Sequence, residues 1–211
     1  MRLAFIGCGN VGGALADRLQ RLGHDVTLAS ADRSSPSLAK ALARSPALAV
    51  APPADAVAWA DVVFLSTPYA ANAAALAPVA SALAGKVLVD CTNPVGPGLS
   101  HAPGAARSGS EAVQALAPGA RVVKAFSVYG FENFEDASFP GRSLRPAMFL
   151  CGDDAAAKAA VSSLAEGLGF EPLDTGGLVQ ALHLEHMTLL WVRMVRVNGA
   201  SPHLAWARLS R

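Results

Sequence analysis

The chain of 211 residues has little of several features that mark other classes of protein. Its three cysteines are far apart, with no C-x-x-C pair and no histidine at zinc-ligand spacing, so neither disulfides nor a metal site is predicted. Its 17 basic and 16 acidic residues leave a net charge of +1, which offers no electrostatic footprint for nucleic acid or an anionic membrane. We therefore expect a soluble enzyme of the reducing cytoplasm.

One long segment, residues 62–85, carries no charge and is long enough to suggest a membrane span. Pro68, Asn72 and Pro78 interrupt it, however, and nine of the remaining 21 residues are alanine, which is only weakly apolar. The segment is better explained as a buried strand, a turn and an alanine-rich helix, so no membrane association is expected.

The most informative segment is the first. An apolar run at residues 3–6 leads into the pattern G-x-G-x-x-G, and leucines then recur at helical spacing. In this context Gly7 allows a tight turn, Gly9 lets a pyrophosphate approach the backbone, and Gly12 lets helix and strand pack closely. The helix that opens at Asn10 and Val11 directs free N–H groups and a positive dipole end at the phosphates. The segment predicts a dinucleotide site.

The rest of the chain alternates strands with helices, which is typical of a parallel sheet with crossover helices. Strands are predicted at residues 3–6, 25–29, 47–50, 61–66, 86–90, 121–125, 147–151 and 170–174. We expect an α/β fold with a Rossmann-type doubly wound parallel sheet over residues 1–126. A small C-terminal α+β portion, residues 127–211, should pack on that sheet and complete the acceptor cleft.

The end of the second strand bears on the choice of cofactor. NAD-binding sites carry a carboxylate there to hold the ribose 2′-hydroxyl, whereas this strand ends at Ser30 without one. Arg33 and Ser34 follow, and a cation beside hydroxyl donors suits a 2′-phosphate. Asp32 would repel that phosphate unless it turns away. We favour NADP over NAD, with a plain solvated turn as the alternative.

Ligands of such sheets bind beyond the carboxyl ends of the strands. The residues at those ends are Thr67, Pro68, Asn93 and Pro94 on the cofactor side, and Phe126, Ser127 and Tyr129 on the acceptor side. Thr67 and Asn93 are polar groups that suit a carboxamide or a ring edge, or equally the turn chemistry of residues next to proline. The long loop at residues 91–109, rich in Gly, Pro and Ser, is expected to be functional.

Six segments in a fixed order make the chain recognisable: the glycine loop, S-T-P-Y at 66–69, D-C-T-N-P at 90–94, V-K-A-F at 123–126, F-L-C-G-D-D at 149–154 and P-L-D-T-G at 172–176. With them the chain resembles the NADPH-dependent reductases of coenzyme F420, a deazaflavin electron carrier, and the related cytosolic reductase domain of the STEAP metalloreductases. The resemblance implies hydride transfer between NADPH and a deazaflavin or flavin stacked face to face. It implies no acid–base catalytic residue. The chain departs from the family at Ser127, Gly177 and Leu182, all on the acceptor side.

Two other functions stay open. A reductase of a small imine or carbonyl would need a proton donor, for which Tyr129, His183 and His186 are the candidates. A non-catalytic NADP-binding sensor would keep the nucleotide site and lack a working second pocket. Residues 178–197 are densely apolar, which predicts a buried helix and a homodimer built largely on it. The other expected partner of the protein is a small-molecule redox acceptor.

Overall fold

The computed structural model describes residues 1–102 and 107–211, so part of the loop at residues 91–109 lies outside the described residues. The strands are β1 (Arg2–Ile6), β2 (Asp25–Ala29), β3 (Ala49–Ala51), β4 (Val62–Leu65), β5 (Val87–Asp90), β6 (Arg121–Lys124), β7 (Ala147–Gly152) and β8 (Glu171–Asp174). The α-helices are α1 (Asn10–Arg21), α2 (Pro36–Arg44), α3 (Pro53–Trp59), α4 (Asn72–Leu76), α5 (Gly109–Leu116), α6 (Phe131–Glu135), α7 (Ala155–Gly167) and α8 (Ala181–Val192).

All eight strands form one sheet in the order β3-β2-β1-β4-β5-β6-β7-β8. The first six are parallel and follow the Rossmann order, as the sequence predicts. The C-terminal portion extends the same sheet: β7 runs antiparallel to β6, and β8 is parallel to β7. The division at residue 126 stays a prediction, since the two portions share one sheet.

The side chains of β1 alternate between the two faces of the sheet, and each face has its own hydrophobic cluster. Leu3 and Phe5 point to one face, where they join a cluster with residues of α1, α2, α7 and α8, while Ala4 and Ile6 point to the other face, against α3 and α5. Because both faces are covered, the central strands are apolar throughout rather than alternating. The carboxyl ends of β1, β4, β5 and β6 therefore meet at one edge between two helical layers.

One local prediction needs correction. The alanine-rich helix is broken into α4 and two 3₁₀ turns, Tyr69–Ala71 and Ser81–Leu83. Among the other short elements, helix α3 begins at Pro53, and proline is well suited to the first helical position. The short helix α6 lies between β6 and β7. In the described parts of the chain, no helix has the length and apolar character needed to cross a bilayer.

The last helical region is continuous but not uniform. A 3₁₀ turn (Leu178–Gln180) precedes α8, and a π-helical turn (Arg193–Val197) follows it. One face of α8 is buried in its own chain through residues such as Leu184 and Trp191, so the prediction that this helix is buried holds for that face. The opposite side is exposed and mixed in character, with His183, His186 and Arg193 facing solvent. Leu190 in α8 is 50% exposed, and Val179 and Val197 in the flanking turns are 63% and 59% exposed.

Candidate functional site

The glycine loop connects β1 to α1, and the surroundings of its glycines explain differently why each position carries no side chain. Gly7 has a φ of +93°, a left-handed conformation that favours glycine, and a Cβ there would lie 2.8 Å from the Ser66 backbone. A Cβ on Gly12 would collide with the Gly7 carbonyl oxygen and the Ser66 hydroxyl. Gly9 is different, because a Cβ there would meet nothing within 4 Å. Gly7 and Gly12 are required by the fold, whereas the space over Gly9 is open.

The start of α1 faces that open space. Gly9 is its N-cap residue, and no side chain of the described part of the chain caps the helix. Asn10 is exposed and Val11 is half-buried, so the first turn lies at the surface of the cleft. An uncapped helix start with exposed N–H groups is suited to bind phosphate. The structure therefore places Gly7, Gly9, Asn10, Val11 and Gly12 together as predicted, with their cofactor contacts still a prediction.

The segment after β2 shows how the Asp32 carboxylate is held, which matters because Asp32 could repel a 2′-phosphate. Its Oδ1 accepts hydrogen bonds from the Ser34 hydroxyl (2.6 Å) and the Ser34 backbone N–H (2.8 Å), and these bonds lower the pKa of the carboxyl group. The Ser30 hydroxyl donates to the Asp32 carbonyl oxygen at 2.8 Å. Asp32 is thus held in a local turn, both hydroxyls are engaged with it, and Arg33 lies exposed beside them.

Lys40 is a candidate that the sequence analysis missed. From α2, its Nζ donates to Asn10 Oδ1 at 2.8 Å, so an ammonium stands beside the start of α1. The signal in the sequence was a cation on the exposed side of the helix that follows the Ser30–Ser34 turn. Together with Arg33 it gives this end of the site two positive charges.

The carboxyl ends of β4 and β5 carry an amide and hydroxyl network. Thr67 Oγ1 donates to Asn72 Oδ1 at 2.7 Å, while Asn93 Nδ2 donates to the Ser127 carbonyl at 3.0 Å and Asn93 Oδ1 accepts from Thr188 Oγ1 at 2.9 Å. The Asn93 amide thus links the ends of β5 and β6 to α8. Of the two neighbouring prolines, Pro68 is exposed at the rim and Pro94 is buried.

A cleft of about 450 Å³ opens beside the glycine loop. It is lined from one side by Asn10 and Val11, and from the other by the C-terminal portion, including Ser127, Tyr129, Thr188 and Trp191. Ser127 Oγ is buried and has no hydrogen-bond partner among residues 1–102 and 107–211. A larger groove of about 770 Å³ lies at the amino end of β6, but it holds none of the predicted site residues.

One of the three residues predicted on the acceptor side, Phe126, lies outside the cleft. Phe126 is fully buried, and its ring packs 5.9 Å from Phe64 and 6.0 Å from Phe134, so it does not line the cleft. Its φ of +52° is a strained conformation for a phenylalanine, and it turns the chain so that Ser127 reaches the cleft. Tyr129 lines the cleft with its ring.

The three candidate proton donors are poorly placed. The Tyr129 hydroxyl donates to the Ala147 carbonyl at 2.6 Å and accepts from the Trp206 N–H at 3.2 Å. Burial raises the pKa of this hydroxyl. His183 and His186 are exposed on α8 and do not line the cleft. Their placement disfavours an imine or carbonyl reductase that depends on any of the three.

Sequence reasoning missed a buried ionic cluster. Lys124 Nζ lies 3.2 Å from Asp90 Oδ2 and 3.6 Å from Glu185 Oε1, and all three side chains are fully inaccessible to solvent. Glu185 also accepts from the Gly109 N–H at 3.0 Å and pairs with His101 Nε2 at 2.6 Å. The cluster joins β5, β6, α5 and α8, and each of its three central residues stands three positions before a residue that lines the cleft, namely Asn93, Ser127 and Thr188.

The three cysteines are buried and free. Burial raises the pKa of the Cys91 thiol, and it raises that of Cys151 to about 12. Thiols of this kind are inert at neutral pH.

Comparison with known proteins shows which family the chain belongs to. The family described as NADP oxidoreductase, coenzyme F420-dependent, matches residues 2–94. Metalloreductase STEAP3 from Rattus norvegicus is 31% identical over 194 residues, which cover 89% of this chain and 36% of the relative, so the chain spans about a third of its length. A crystal structure of a protein assigned as an F420-dependent NADP reductase, from Arthrobacter sp. FB24, is 33% identical over 94% of this chain and 95% of that one, with a TM-score of 0.82. A hypothetical protein from Sinorhizobium meliloti is 28% identical, over 100% and 96% of the two chains, with a TM-score of 0.76.

Proposed function

The chain belongs to the coenzyme F420-dependent family of NADP oxidoreductases, and from that membership we propose that it transfers a hydride between NADPH and a deazaflavin or flavin. One observation carries the proposal above the others. Asn10 and Val11 at the start of α1 line the same cleft as the C-terminal portion, so a nicotinamide bound through the glycine loop would lie beside the space left for an acceptor.

The nucleotide half of the cleft fits NADPH. The open space over Gly9 and the uncapped start of α1 would receive the pyrophosphate. Arg33 and Lys40 would supply the positive charge that a 2′-phosphate requires, while the Asp32 carboxylate accepts hydrogen bonds from Ser34. This distribution of charge is the reason to prefer NADP over NAD.

The acceptor half fits a planar ring. Tyr129, Phe131 and Trp191 give it aromatic walls, and the Ser127 hydroxyl offers a hydrogen bond to a polar ring edge. NADPH supplies the hydride when it is bound, so the residues of the chain need only hold the two rings in contact and exclude water. This agrees with the absence of a well-placed proton donor among the described residues that line the cleft.

Deuterium transfer tests the proposal directly. NADPH carrying deuterium at C4 of the nicotinamide is mixed with the protein and a 5-deazaflavin without oxygen, and the product is examined by mass spectrometry. We expect the label at C5 of the deazaflavin, because that carbon keeps the hydrogen it receives, together with a primary isotope effect on the transfer step.

Matched measurements separate the alternatives. Ser127→Ala should weaken binding of the deazaflavin and leave NADPH affinity unchanged, since the hydroxyl is placed on the acceptor side only. Turnover of imines or aldehydes but of no flavin would contradict the proposal. Tight NADPH binding without turnover of any acceptor would instead support a sensor.

A further inference from the structure

One wall of the acceptor cleft carries a fixed guanidinium group. Arg196 Nη2 donates to both carboxylate oxygens of Glu132, at 2.7 Å and 2.9 Å, and the guanidinium carbon lies 5.2 Å from the centre of the Trp191 ring. All three residues line the cleft. We call them the arginine platform. A guanidinium held by a carboxylate and an aromatic face loses little freedom when it binds a ligand.

The π-helical turn that follows α8 creates this arrangement. The Asn198 N–H bonds to the Arg193 carbonyl five residues earlier, at 3.0 Å. Around a regular α-helix, residues five apart point about 140° away from each other. The wider turn brings Trp191 and Arg196 onto one side, so that the guanidinium covers the indole. Single π-helical turns occur frequently at functional sites.

The backbone at Gly130 is shaped around the same group. A Cβ on this residue would lie 2.5 Å from Trp191 Cη2 and 2.8 Å from Arg196 Nη2, with a Glu132 oxygen closer still. Its φ of −72° is ordinary, so space and not backbone conformation demands glycine there. An added methyl group would therefore displace the arginine platform without changing any charge.

We propose that Arg196 binds an acidic group, a carboxylate or a phosphate, on the electron acceptor. Only Nη2 is engaged within residues 1–102 and 107–211, so Nε and Nη1 keep their N–H groups for a ligand. A guanidinium fork matches both acids geometrically. Because Glu132 neutralises part of the charge, the acid approaches from the side away from that carboxylate. The inference rests on the proposed function and makes the acceptor an anionic flavin or deazaflavin.

Binding of two flavins with the same ring tests this choice. Riboflavin and riboflavin 5′-phosphate differ only in the acid at the end of the side chain, and a flavin with a carboxylated side chain separates carboxylate from phosphate recognition. Dissociation constants are measured by fluorescence quenching with the protein saturated with NADP⁺. We expect the wild type to bind at least one acidic flavin about tenfold more tightly than riboflavin, the effect of one charge-assisted contact.

Three substitutions assign the preference to Arg196. Arg196→Gln should abolish it by weakening the binding of the acidic flavin much more than the binding of riboflavin, while Arg196→Lys should restore part of it. Gly130→Ala should also reduce it, in a protein whose thermal unfolding shows it to be folded. Arg208→Gln is the matched control, because Arg208 pairs with Glu171 at 2.5 Å and lies outside the cleft.

A wild type without any preference, an Arg196→Gln variant that keeps it, or failure of every flavin to bind would overturn the inference. Preferential binding of an acidic flavin without hydride transfer would support the inference and refute the proposed function, so the two can fail separately.

Discussion

Replacement of Lys124 by methionine should destabilise the protein severely. The ammonium group is fully buried between Asp90 and Glu185, at 3.2 Å and 3.6 Å, and it also donates to the Thr92 carbonyl. Methionine keeps the unbranched shape but leaves two buried carboxylates without their shared cation. Breaking a buried ion pair from one side costs about 3–5 kcal/mol. This is a large part of the roughly 5–15 kcal/mol by which a domain is stable.

Urea unfolding followed by circular dichroism measures this loss, as a lower midpoint with an unchanged slope. Lys158→Met is the matched control: its ammonium lies 2.8 Å from Asp174, whose side chain is 52% exposed, and such pairs contribute about 0–1 kcal/mol. Adding Glu185→Gln to the Lys124 variant should recover part of the loss, since one of the two buried negative charges disappears. A cost equal to that of the control, or no recovery, would refute the reasoning.

Four further predictions follow from the site and the surface. Gly9→Val should abolish NADPH binding in a folded protein, because its side chain enters space that the fold leaves open; calorimetric titration showing unchanged affinity would refute this. Arg33→Ala should weaken NADPH binding by about 1.5–3 kcal/mol and NADH binding hardly at all; equal losses would place its role elsewhere. Hydrogen bonds from Arg2 lower the pKa of Asp61 to about 2, so the stabilisation is present above its unfolded pKa of about 4 and lost as pH falls towards 2. Because the pair is exposed, Asp61→Asn should cost less than about 1 kcal/mol at neutral pH and nothing near pH 2, measured by thermal unfolding. If the exposed apolar residues of the segment 178–197 form the proposed homodimer, light scattering should give a dimer mass for the wild type and a monomer mass for Leu190→Lys; a wild-type monomer would end that proposal.

Much of the architecture followed from local patterns. The strand, glycine turn and helix at residues 2–21 are adjacent in the chain, so spacing alone identified the nucleotide loop. Runs of buried valine and leucine marked the central strands, because a strand covered on both faces is apolar throughout. The family could be recognised for the same reason, since its motifs follow the strands in a fixed order.

Other features depend on contacts between distant parts of the chain. The sequence showed a strand at β7 but not its antiparallel direction, since both directions give the same side-chain period. Hydrophobicity could not reveal that Phe126 turns inward or that the Tyr129 hydroxyl is taken up by Ala147 and Trp206.

The charged groups show most clearly which features could not be predicted from the sequence. Asp90, Lys124 and Glu185 lie on two strands and a helix, and nothing local marks any of them as a partner of the others. Trp191 and Arg196 meet only because the helix widens into a π-turn, which hydrophobic periodicity does not report. Local patterns were enough to predict which segments form the sheet and the glycine loop, because those depend on neighbours along the chain. Which charges are buried together and which arginine faces the cleft could be seen only in the folded protein, because those depend on packing between elements.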